Sequence, residues 1–149
     1  MSGLVAVEEG SDGETPRRAS AVLRFAIPSM PTALSAVVQI VRATMEWMAF
    51  EQDWIFRAEL CLHEAMLNAH FHGNEADPKR EIRVGCSLAP DNVEMVVEDD
   101  GRGYDAGRYS SPPPKGNPHG RGLHLIRQFM HSVDIHGDGR RIVMCLNKE

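Results

Sequence analysis

The strongest constraint on the fold of this sequence is a change in the spacing of its apolar residues, from helical to alternating, near Gly73. Before that point, Leu34, Val37, Val38, Val41, Met45 and Met48 recur at three- and four-residue steps, which predicts one amphipathic helix reaching about Phe50. Ser29 precedes it as the expected N-cap, and Pro31 falls in the first turn, where a missing amide hydrogen removes no helical bond. Ile55, Ala58, Leu62, Ala65, Met66 and Ala69 make a second stripe. It predicts a helix from Asp53 to about Phe71, with Gly73 as a left-handed stop. After it, Ile82, Val84, Cys86 and Leu88 alternate, as do Val93, Met95 and Val97. Two strands each bury one face and join through Ala89-Pro90-Asp91-Asn92.

The same reading extends to both ends. Val22 to Ile27 form a short β-like run closed by Pro28. A third helix is expected from about Gly120 to Met130, then strands near Ser132–His136 and Arg141–Leu146 linked by Gly137-Asp138-Gly139. The order β-α-α-β-β-loop-α-β-β predicts an α+β, two-layer sandwich, with helices on one face of a mixed, mostly antiparallel sheet. Residues 104–119 interrupt it, because three consecutive prolines and two glycines forbid helix and strand alike. Loops of that length inside a compact domain are functional lids or disordered.

Residues 1–20 are rich in Gly, Glu, Ser, Thr and Arg without an apolar period, which predicts a disordered tail before one domain over 21–149. Three widely spaced cysteines in apolar surroundings, Cys61, Cys86 and Cys145, match neither a disulfide framework nor a zinc site. With no secretory leader and no membrane-length apolar run, the expected location is the cytoplasm, away from the membrane. The net charge of −5, with no Lys/Arg block longer than two, argues against direct nucleic-acid binding. A small molecule or a protein is the expected partner.

Three motifs carry chemistry. In HEAMLNA, Glu64 and Asn68 stand four apart on one helical face. A carboxylate there can take a proton from a hydroxyl, and an amide oxygen suits magnesium, although solvent-facing Glu–Asn pairs are commonplace. In VVEDDGRGYD, a strand ends at Asp99 and Asp100 before Gly101 and Gly103. An Asp so placed can accept from an exocyclic amine such as adenine N6, and glycines let backbone approach a flat base; an acidic β-turn uses the same residues. In HGRGLHLIRQF, Gly120 and Gly122 open a helix whose free N–H groups can cradle phosphate, and a flexible N-cap accounts for them equally.

Together, in this order and spacing, the three motifs resemble the ATP-binding domain shared by gyrase, a heat-shock chaperone, histidine kinases and mismatch-repair proteins. The resemblance is closest to the small bacterial branch of anti-sigma-factor serine/threonine kinases and covers about residues 21–147. It implies the histidine-kinase-like ATPase (Bergerat) fold, with ATP and magnesium as cofactors. It further implies Glu64 as catalytic base and Asn68 as the magnesium ligand. Asp99, Gly101 and Gly103 match the adenine box, and Gly120, Arg121, Gly122 and Leu123 the Gly-x-Gly-Leu phosphate box. The implied activity is phosphorylation of an anti-anti-sigma (STAS) antagonist, with a sigma factor as a second, sequestered partner; a homodimer is left open. The alternative is a non-enzymatic ATP-binding regulatory module of the same fold. Arg140 stands where that family usually has a small hydroxylated residue, commonly Thr. The histidines, His70 among them, are expected in surface or capping roles.

Overall fold

In a computed structural model of the chain, the alternating segments pair into one six-stranded sheet. The structure describes residues 20–101 and 122–148, and the backbone of 2–8. The strands are β1 (Ser2–Glu8), β2 (Ser20–Pro28), β3 (Glu81–Ala89), β4 (Asn92–Asp99), β5 (Ser132–His136) and β6 (Arg141–Asn147). They lie in the order β1-β2-β3-β4-β6-β5. Every described pair is antiparallel, so no parallel pairing appears among these strands. Among the described residues the α-helices are α1 (Pro31–Trp47), α2 (Gln52–Asn68) and α3 (Gly122–Phe129), and α2 continues directly into a π-turn, Ala69–Gly73. No described helix is long and apolar enough to cross a membrane.

Period two decides which face the helices cover. Ile82, Val84, Cys86 and Leu88 of β3 and Val93, Met95 and Val97 of β4 are all buried, and their register pairs Val84 with Val97 and Cys86 with Met95. The helical stripes close over them through Leu34, Val37, Val41 and Met45 of α1 and Ile55, Ala58, Leu62 and Met66 of α2. The expected two-layer α+β sandwich is what the chain forms. Residues of the opposite face, such as Arg83 and Glu98, make exposed ion pairs that contribute little to stability.

Local details differ from expectation in three places. Within the stretch expected as a disordered tail, Ser2–Glu8 form β1, an edge strand against β2; Leu4-Val5-Ala6-Val7 suits a strand, and the polar residues around it dominate the composition. Residues 9–19 lie outside the described residues. Ser29 does not cap α1: the N-cap is Met30, without a side-chain hydrogen bond, while Pro31 occupies the first turn as expected. The α1 stripe ends at Trp47, because Ala49 turns into the left-handed region (φ 59°) and Phe50 N–H bonds back to the Met45 carbonyl.

The layer packing sets a measurable contrast on one helix. Leu62 is fully buried, so Leu62→Ala should cost about 2–5 kcal/mol in urea unfolding. Phe56 is 54% exposed and packs edge-to-face with Phe129, so Phe56→Ala should cost about 0.5–1.5 kcal/mol.

Candidate functional site

The inward positions of β4 are Val93, Met95, Val97 and then Asp99, so the alternation that builds the core also drives one carboxylate into it. Asp99 is only 3% exposed. Desolvation raises its pKa to about 6 and the neighbouring Asp100 adds to the rise. The Gly101 N–H, 2.8 Å from Oδ1, opposes it, as do Arg140 and Arg83. The Asp99 N–H bonds to the Arg140 carbonyl at 3.0 Å and carries the sheet ladder to the end of the strand. Asp100 points the other way. Its carboxylate accepts from Arg83 Nη1 at 2.7 Å and from the Glu81 N–H at 3.1 Å, and the guanidinium holds it below the usual carboxylate range. Two adjacent acids thus have opposite environments, one buried in a recess and one paired at the surface.

Asp99 lines a narrow crevice between the layers. Ala65 and Ala69 of α2 form one wall and Val97 and Ile142 the sheet side, with Leu123 and Arg140 also lining it. Mostly apolar walls around one buried acceptor have the chemistry that suits the edge of a flat heteroaromatic group bearing an amine. Arg140, an expected departure from the family pattern, has its guanidinium exposed beside this crevice with Nε donating to the Gly137 carbonyl at 3.2 Å.

Glu64 and Asn68 lie on the face of α2 that meets α3, both half-buried. A Cβ on Gly122 would stand 2.9 Å from Glu64 Oε2 and 3.0 and 3.2 Å from the Asn68 amide nitrogen and oxygen. The start of α3 therefore sits directly on the Glu64–Asn68 pair, and a larger residue at 122 would push those two side chains aside. The far end of α3 is held by Arg57, whose Nη1 donates to the Phe129 carbonyl at 3.1 Å while its guanidinium lies over the Phe129 ring.

Gly73 has a different role from the expected helix stop. It is not among the glycines with positive φ, and the chain passes through it as a π-turn. A Cβ there would overlap the Asp99 carboxylate, lying 2.5 Å from Oδ1, and a Cβ on Gly101 would collide with the Gly73 carbonyl, 2.8 Å from its Cα. Two backbone segments and a carboxylate are stacked with no space for a side chain. Sequence spacing could not show this, since helix-terminal glycines have a commoner explanation.

The fold thus gathers the expected residues into two neighbouring groups, Glu64, Asn68 and Gly122 in one and Asp99 and Gly101 in the other. Asn68 and Leu123 line the crevice that Asp99 also lines. Gly103, Gly120, Arg121 and the loop 104–119 lie outside the described residues. Besides Gly73, sequence reading missed Asn74, a fully buried side chain beside Asp100, and misassigned His70, which is buried and bonded to Ser29 rather than at the surface.

Residues 27–146 match the family described as the histidine kinase-like ATPase domain. The anti-sigma F factor of Clostridium perfringens is 28% identical over 89 residues, 54% of this chain and 64% of that relative. The serine-protein kinase RsbW of Oceanobacillus iheyensis is 24% identical over 131 residues, 82% of this chain and 83% of the relative. The serine/threonine-protein kinase BtrW of Bordetella bronchiseptica is 29% identical over 98 residues, 60% and 69% of the two chains. The match thus spans about 64% of the length of the Clostridium anti-sigma F factor.

Burial of Asp99 has a consequence for titration. Its folded pKa, about 6, lies above the ordinary 3.8, so the folded chain binds the extra proton between these values. This group's contribution to stability is therefore complete below about pH 3.8 and lost as pH rises through about 6. Carboxyl NMR should find the Asp99 midpoint near 6, far above that of Asp100, and Asp99→Asn should remove this component from the stability–pH curve.

Proposed function

Because this chain belongs to the histidine kinase-like ATPase domain family, we propose that it binds ATP with magnesium and transfers phosphate to a Ser or Thr hydroxyl of a protein partner. The observation that supports this most is the convergence of a buried acceptor, Asp99, in an apolar crevice with the Glu64–Asn68 pair packed under Gly122. These residues suit the nucleotide: recess, acceptor and close-packed glycines are features a flat base and its phosphates require.

In this reading, Asp99 accepts from the adenine amine while Val97, Ile142 and Ala69 contact the ring. Backbone N–H groups over Gly120–Gly122, with Leu123 packed behind, take the phosphates, and Gly101 and Gly103 shape the adenine side. Asn68 is the magnesium ligand. The ion, when bound, neutralises phosphate charge. Glu64 takes the proton from the partner hydroxyl as its oxygen bonds to the γ-phosphorus and the bond to the bridging oxygen breaks, leaving ADP. Positioning and charge neutralisation provide most of such catalysis, so a shallow arrangement of few side chains suffices.

For the partners we propose an anti-anti-sigma (STAS) protein as phosphate acceptor and a sigma factor as the protein sequestered. The names of the relatives from Clostridium and Oceanobacillus support this reading. Three free thiols, two of them buried, suit a reducing cytoplasm. A second reading is a regulatory module that binds ATP and acts by sequestration alone, which the anti-sigma F factor relative supports by its name.

The two readings separate at Glu64. Glu64→Gln should leave ATP affinity nearly intact and lower phosphate transfer to the cognate partner by ~10²-fold or more, the scale of general-base catalysis. Asn68→Ala should weaken magnesium-dependent binding as well. Transfer from labelled ATP, with calorimetry on the same proteins, measures both; undiminished transfer by Glu64→Gln would remove the base assignment, and no transfer by the unaltered protein would favour the binding module.

A further inference from the structure

The end of α2 carries more polar fastening than a helix terminus requires. After Asn68 the helix widens, and the Asn74 N–H bonds five residues back to the Ala69 carbonyl at 2.8 Å. Widening there leaves Glu64 and Asn68 in α-helical register while carrying the next residues toward the end of β4. Buried His70 meets the Ser29 hydroxyl through Nδ1 at 2.8 Å, and the Ser29 N–H donates to the Arg80 carbonyl at 2.9 Å. Buried Asn74 donates from Nδ2 to the Glu81 carbonyl at 3.1 Å and accepts at Oδ1 from the Asp100 N–H at 3.0 Å. Arg80 Nη1 reaches the Gly73 carbonyl at 3.4 Å. The turn is thus tied to the β2–α1 junction, to the start of β3 and to the end of β4.

All of this fastening surrounds one close approach, the Gly73 backbone against the Asp99 carboxylate and against Gly101. We propose that the π-turn is a positioning device for Asp99, and that Gly73 sets the selectivity of the crevice for a base carrying an exocyclic amine. This rests on the nucleotide reading given above. A hydrogen bond weakens steeply when misaligned, and a desolvated acceptor discriminates only while its partner is correctly placed. Fastened backbone confines the carboxylate on one side and Gly101 N–H holds Oδ1 on the other, so Asp99 meets an incoming amine in one orientation. A methyl group on residue 73 would occupy the carboxylate's space and turn it away. Gly73 and the turn act through Asp99 and are positioning residues.

The test compares ATP with purine riboside triphosphate, which lacks only the 6-amino group, by calorimetry with magnesium. The unaltered protein should prefer ATP by about 10- to 100-fold, the ratio a charged hydrogen bond provides. In Gly73→Ala the preference should fall to within about threefold, because the amine loses its aligned acceptor. Gly85→Ala is the control, since a Cβ there meets nothing within 4 Å, and it should keep the original ratio. Ser29→Ala releases His70 without adding an atom and should lower the ratio by about fivefold, the loss of one neutral hydrogen bond, whether or not Gly73→Ala folds. An unchanged ratio in folded Gly73→Ala overturns the proposal, as does an unchanged ratio in Ser29→Ala should Gly73→Ala not fold. Equal binding of both nucleotides by the unaltered protein, or of neither, would instead overturn the nucleotide reading beneath it.

Discussion

Burial of the Asp99 carboxylate at the inner end of β4 is the constraint around which the site is arranged. An ionised group out of water is unfavourable, and its raised pKa records that cost. The fold offsets it with the Gly101 N–H and the fields of Arg140 and Arg83 rather than with a direct ion pair. A carboxylate paired to a guanidinium would be more stable and less available, as Asp100 illustrates one residue away. Keeping Asp99 buried and lightly partnered leaves acceptor capacity for something that enters the crevice.

Glycine is the other half of this economy of space. Gly73 and Gly101 are each required because a neighbouring atom occupies the Cβ position, with no left-handed backbone involved at Gly73, and Gly122 lets the start of α3 come close to Glu64 and Asn68. Gly73, at the end of the π-turn, meets Asp99; Gly101, just after β4, meets the Gly73 backbone; Gly122, at the start of α3, meets Glu64 and Asn68. Substitution at any of them would act on the site first and on the core second. The hydrophobic core, through Leu62, Met66, Met95 and Leu88, supplies the rigidity that makes those close approaches reproducible.

Much of this was legible from residue order. Apolar spacing located α1, α2, β3 and β4 to within a few residues, since burial on one face of a helix or sheet imposes a period that composition cannot hide. β1 escaped because a seven-residue strand among polar residues leaves no periodic signal beyond its own length. Ser29 was read as a cap because caps are the commonest use of Ser before a helix. Its actual bond to His70 joins residues 41 apart and has no local signature. The expectation of a surface or capping role for His70 misses this bond for the same reason.

The sequence by itself determined on which elements the candidate site residues stand and which way they face. Glu64 and Asn68 share a helical face by four-residue spacing, and Asp99 faces inward because it continues the alternation of Val93, Met95 and Val97. Only the tertiary structure decided how those elements meet. The placement of Gly122 over the Glu64–Asn68 pair, the π-turn that brings Gly73 under Asp99, and the polar ties from Ser29, Asn74 and Arg80 are all contacts between distant segments. Periodicity reports which way a side chain points, whereas what it meets there depends on the packing of other segments, and that is settled only when the chain folds.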